Sequence, residues 1–189
     1  MTMKTNKITL VAQTIGMYIM ELPLYIWFIV ELIPLNNESL ANGLIKATLI
    51  LTALVLPICI ANIVLSVISV FKGESDVSKT VMKVKLALIP WFILNFAMCV
   101  IIIALMLNPF MMIGIPIVIA FLVVGTYFCM ITTSLPDVAY YLRNVLIKKA
   151  EKLSPLRVAV VVCLFFFCLD VIGSVLFYNQ NKKLATPSK

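Results

Sequence analysis

Glu21 and Asp170 are the residues whose surroundings make unusual chemistry possible. Each interrupts a long apolar stretch. A carboxyl group in hydrocarbon is costly as an ion, so it keeps its proton, finds a cation, or is held by hydrogen bonds. Two carboxyls at one depth could share a proton or hold a cation between them. Thr14, Tyr18 and Tyr25 stand at helical spacing from Glu21 and place a polar stripe on one helix face. Gly173 and Ser174 follow Asp170 and allow a neighbouring helix to approach closely. Asn62 and Asn95 add amides inside two further apolar runs. The predicted intramembrane polar layer is therefore Glu21, Asp170, Asn62, Asn95 and Tyr18. Two chemistries fit it. One is a proton or cation site between helices. The other is interhelical hydrogen-bond glue, worth about 0.6–2 kcal/mol per contact. No Lys or Arg is expected deep enough to pair with either carboxyl, Lys85 being assigned to a basic connection.

Placing such a layer requires membrane-spanning helices. Of the 189 residues, 63% are hydrophobic and 12% charged, with a mean hydropathy of +1.13. Soluble domains carry about 25% charged residues, so a water-soluble globular fold is excluded. The net charge of +7 is too scattered for a nucleic-acid-binding surface. A spanning helix needs about 20 apolar residues. The pattern predicts an all-α polytopic transmembrane helix bundle, one membrane domain over 1–189, with five spans at about 8–33, 43–71, 84–107, 110–135 and 158–178. Asn108-Pro109 is the turn that separates the third span from the fourth. The first run lacks a small-x-small cleavage site before Glu21 and is expected to be an uncleaved anchor.

Basic residues near span ends face the cytoplasm. Lys4 and Lys7, the Lys72–Lys85 connection, and the connection from Arg143 to Arg157 predict an N-in, C-out protein. Lys182, Lys183 and Lys189 fall on the outer side in that arrangement. They would lie inside if one span were re-entrant. Ser134 and Asp137 resemble a capping box, and Val138, Tyr141, Leu142, Val145 and Leu146 recur at helical spacing. This predicts an amphipathic helix over 137–153 on the cytoplasmic side. Arg143, Lys148, Lys149 and Lys152 would contact anionic lipid, at about 1 kcal/mol per basic residue.

Much familiar chemistry is missing. There is no histidine, no CxxC, no phosphate-binding loop and no nucleophile elbow. Cys59, Cys99, Cys129, Cys163 and Cys168 all fall within predicted spans, so neither a disulfide framework nor a metal site is expected. The chain is expected to be neither an enzyme nor a cofactor carrier. Its partners would be the lipid bilayer and either a second copy or another membrane protein. Two function classes remain. One is an accessory, immunity or regulatory membrane protein; the other is a small proton- or cation-coupled carrier or channel using the carboxyl pair.

Three stretches carry a resemblance: the run from Ser78 to Trp91, the run from Ser134 to Arg143, and Phe167-Cys-Leu-Asp-Val-Ile-Gly173. They resemble an uncharacterised family of small multi-span bacterial membrane proteins. The resemblance implies a bacterial inner membrane and attaches no activity, substrate or site.

Overall fold

The structure, a computed structural model, describes residues 2–32, 38–72, 77–105, 115–146 and 154–185. They form six helices: α1 (Thr2–Leu32), α2 (Glu38–Lys72), α3 (Ser78–Leu105), α4 (Ile115–Leu146), α5 (Pro155–Cys163) and α6 (Leu169–Ala185). The first four contain segments long and apolar enough to cross a membrane, at Asn6–Val30, Ser39–Phe71, Ser78–Ala104 and Val118–Val145. Together they mark a membrane protein. Pro23, Pro57, Pro90 and Pro136 lie inside these helices. Neighbouring helices make such residues tolerable within membrane helices.

α1 packs against α2 and α3, and α4 packs against the same two, closing a four-helix ring. The ring follows from heptad stripes. On α1, Asn6, Leu10, Gln13, Met17, Met20 and Leu24 are buried. On α3, Ser78, Val81, Lys85, Leu88, Phe92 and Asn95 are buried at the same three- and four-residue steps. Such a seam keeps one face against its neighbours along the whole helix. The faces between carry Ile93, Leu54 and Ile19, large apolar side chains that point outward, as lipid-facing positions do.

Helices α5 and α6 correct the predicted fifth span. They do not form one rod; they fold back on each other. Arg157, near the start of α5, donates to the side-chain oxygens of Gln180 and Asn181 near the end of α6, and lies over the Phe177 ring. Val160 packs with Phe177. Cys163 and Leu164 sit on Gly173. These contacts run antiparallel, so the two helices form a hairpin. Its turn passes through Cys168, whose φ of 66° lies in the left-handed region. The tip packs on the middle of α3, with the Phe92 and Phe167 ring centroids 5.8 Å apart. The end of α6 returns to the start of α3, where Asn181 Nδ2 donates to Ser78 Oγ at 3.4 Å. The chain after Val158 therefore enters the bundle from one end and leaves by that same end.

Gly173 permits this fold. A Cβ placed there would lie 3.2–3.3 Å from Leu164 Cδ2, Cys163 Cβ and the Leu164 backbone nitrogen. Gly173→Val overpacks a contact that includes backbone, and is expected to destabilise the protein by about 1–3 kcal/mol. Thermal unfolding in detergent checks this. Gly43→Ala meets nothing within 4 Å and serves as the neutral control.

The predicted surface helix is also revised. Residues 137–146 continue α4 without a break. Ser134 is not a cap: it sits within the helix, and Asp137, Ala139, Tyr141 and Asn144 are buried. The remainder of that prediction, with Lys148, Lys149 and Lys152, lies outside the described residues, as does the Asn108-Pro109 turn.

Candidate functional site

The predicted polar layer divides into three separate groups. The first joins α1, α2 and α4. Asn62 Nδ2 donates to Gln13 Oε1 and to the Thr132 carbonyl, each at 2.9 Å. Gln13 Nε2 donates to Thr132 Oγ1, which in turn donates to the Phe128 carbonyl at 2.8 Å. All three side chains are buried. Gln13 was not expected here, although its eight-residue spacing from Glu21 places it on the same helix face.

The second group joins α3, α4 and the hairpin. Lys85 Nζ donates to Asp170 Oδ2 at 2.8 Å and to the Met130 carbonyl at 2.9 Å. Lys85 is fully buried, and Asp170 is 1% exposed. This overturns the expectation that Asp170 lacks a cation. The lysine does not snorkel away; it occupies the seam between Val81 and Leu88. Asp137, buried on α4, lies within electrostatic reach of it. Asp170 stands in the first turn of α6, where the helix dipole favours a negative charge. Ser134 Oγ is 3.0 Å from the Leu164 carbonyl and fixes the other arm of the hairpin tip to α4.

The third group joins α1, α3 and α4 around Glu21. The Tyr25 hydroxyl lies within hydrogen-bond distance of both Glu21 Oε2 and Asn95 Oδ1. Asn95 Nδ2 donates to Glu21 Oε1 at 3.3 Å and to Thr126 Oγ1 at 3.4 Å. Thr126 donates to the Leu122 carbonyl at 2.7 Å. Glu21 is fully buried and Asn95 is 2% exposed. Glu21 therefore meets Asn95, and it does not pair with Asp170 as the single predicted layer would require. Tyr18 does not join Glu21 either. It is exposed, and its hydroxyl donates to the Ala87 carbonyl at 2.6 Å.

Comparison with known proteins assigns the chain to a family. A family model described as a family of unknown function, DUF6652, matches residues 8–183. The chain belongs to that family. No curated protein and no solved structure matches it. The match covers all or most of every helix that contributes to the three polar groups of this DUF6652 chain.

The three groups differ in what they can do. The Gln13–Asn62–Thr132 group is a set of neutral hydrogen bonds in which Asn62 Oδ1 is left without a hydrogen-bond partner among the described residues. The Lys85–Asp170 pair neutralises its own charge. The Glu21 group holds a carboxyl with no lysine or arginine bonded to it among the described residues. Among the described residues, no group of three or more metal-ligating side chains is present.

Proposed function

We propose that this protein is an accessory membrane protein, of the regulatory or immunity kind, that works by association with a membrane partner and has no transport or chemistry of its own. One observation carries the reading: on α1, α3 and α4 the buried polarity is one-sided. The buried polar groups on α1, α3 and α4 lie between the start of α1 and the level of Glu21, Asn95 and Thr126. Beyond that level, Leu24, Phe28, Met98, Ile102 and Leu122 of these three helices form one apolar cluster, and the buried Thr48 of α2 turns its hydroxyl to the Leu44 carbonyl of its own helix. A conducting path needs polar or wet surroundings along its whole length. An apolar plug that closes one half supports a scaffold.

The same reading includes a topology of four crossings and one re-entrant hairpin. α1 begins, α2 ends, α3 begins, α4 ends, α5 begins and α6 ends on one side. Assigning each basic residue to its nearest helix end puts all but Lys46 of the 15 Lys and Arg on that side. That asymmetry supports a cytoplasmic orientation for this side and for both termini, within a multi-pass protein of the cell membrane. The basic tail from Lys182 onward no longer conflicts with the rule.

Purified protein in liposomes is expected to pass no proton or monovalent-cation current above that of empty liposomes. A flux that Glu21→Gln abolishes would replace this reading with that of a small carrier.

A further inference from the structure

The Glu21 group contains a discrepancy in its hydrogens. A phenol carries one proton, yet the Tyr25 oxygen sits within hydrogen-bond distance of two acceptors, Glu21 Oε2 and Asn95 Oδ1. If Glu21 is an ion, Tyr25 donates to it, and the phenol oxygen then faces the Asn95 carbonyl with no hydrogen between them. Turning the amide over does not remove the shortfall. It places Asn95 Oδ1 against Glu21 Oε1, where the 3.3 Å contact now holds the amide nitrogen. One extra proton closes the three contacts among Glu21, Tyr25 and Asn95. Glu21 donates to Tyr25, Tyr25 donates to Asn95, and Asn95 donates back to the second Glu21 oxygen.

The surroundings give the same answer by a separate route. The groups facing this cluster are Tyr18 and Tyr25 on α1, Trp91, Asn95 and Cys99 on α3, and Thr126 and Cys129 on α4. None is a cation. Lys85 is engaged by Asp170 and the Met130 carbonyl. An ionised carboxylate here would be buried in low dielectric without a counter-charge.

The group also borders the outside of the bundle. A crevice of about 260 Å³ opens between α1, α2 and α4, lined by Met17, Met20, Val55, Gly125 and Phe128. A second, of about 250 Å³, is lined by Asn95, Phe96, Thr126, Tyr127 and Phe167. Gly125 leaves the first crevice next to the carboxyl: a Cβ there would already touch Glu21 Oε1 at 3.8 Å. The faces around both crevices carry exposed apolar side chains, including Leu56, Val123 and Val124. The approach to Glu21 is therefore from hydrocarbon and not from water.

We propose that Glu21, with Tyr25 and Asn95, is a one-proton binding site inside the membrane, held as a neutral acid and reachable from the lipid. The proton completes a hydrogen-bonded ring across α1 and α3, with Thr126 attaching α4. Losing it breaks the ring at the phenol–amide contact and loosens the joint between the three helices.

Two measurements on the wild-type protein in liposomes at neutral pH test this. The first is infrared difference spectroscopy of the protonated-carboxyl carbonyl stretch. It is expected in the wild type and in Asp170→Asn, and lost in Glu21→Gln. The second is modification by dicyclohexylcarbodiimide, an apolar reagent for carboxylic acids. The acid proton passes to a carbodiimide nitrogen and the carboxyl oxygen bonds to its central carbon; the adduct rearranges to a stable N-acylurea, with no leaving group and no redox change. Peptide mass mapping is expected to find the adduct on Glu21 and not on Asp170. Absence of the carbonyl band, or its persistence in Glu21→Gln, overturns the neutral acid. Absence of the adduct on wild-type Glu21 overturns access from lipid. The mapping needs no variant, so a folding defect in Glu21→Gln cannot mask the result.

Discussion

Lys85→Met destabilises the bundle by about 3–5 kcal/mol, and adding Asp170→Leu restores most of that loss. Lys85 and Asp170 are both buried, with 2.8 Å between Nζ and Oδ2. Removing the ammonium leaves the carboxylate without its cation and frees the Met130 carbonyl as well. The cost of the single variant is thus mostly that of a stranded charge rather than the net worth of the pair. Removing both partners eliminates the charge, and apolar side chains of similar size fill the space. Thermal and denaturant unfolding of the wild type, both single variants and the double variant form a closed cycle that isolates the coupling. A double variant as unstable as the sum of the singles would show that the ion pair does not set the position of the hairpin. Lys85→Met alone should also release the tip, because Asp170 is the hairpin's charged anchor to α3.

Residue 185 is expected on the same side of the membrane as residue 154. Single cysteines at Ser39, Ser154 and Ala185, in a background lacking the five native cysteines, give an all-or-none answer. An impermeant thiol reagent applied to intact cells is expected to label position 39 alone. Positions 154 and 185 should react only after permeabilisation. The reason is the antiparallel ladder of α5 on α6, from Cys163 and Leu164 on Gly173 to Arg157 on Asn181. Labelling at 185 together with protection at 154 would mean that the hairpin opens into a full crossing. That result would return the five-span arrangement.

The misreading of that segment has a definite cause. Residues 158–178 are apolar for long enough to cross a bilayer, and hydropathy records composition without direction. The turn contains no proline or glycine: Leu164-Phe-Phe-Phe-Cys168 looks like the interior of a span. The signal that did point to a reversal lay outside it, in Lys182, Lys183 and Lys189 on the side where basic residues are not expected. Lys85 was misplaced for a related reason. Its nearness to the basic connection made it look like an interfacial lysine. Its spacing told the truth, since Ser78, Val81, Lys85, Leu88 and Phe92 form one buried heptad seam.

What the sequence determined by itself was the solvent, the secondary structure and the identity of the costly groups. Apolar runs of bilayer length can satisfy their backbone in hydrocarbon only as helices, so the all-α membrane bundle followed from composition. Carboxyls and amides inside those runs had to turn inward and find partners, and Glu21, Asp170, Asn62 and Asn95 are all buried. Which partner each one found was decided only by tertiary structure. Partner choice depends on rotation and depth of one helix against another, which side-chain periodicity along a single helix does not contain. The ring of α1, α2, α4 and α3 set Glu21 against Asn95, and the folding back of α6 brought Asp170 to Lys85. Two carboxyls that looked like one site are thereby separated, one neutralised by a cation and the other enclosed by a phenol and an amide.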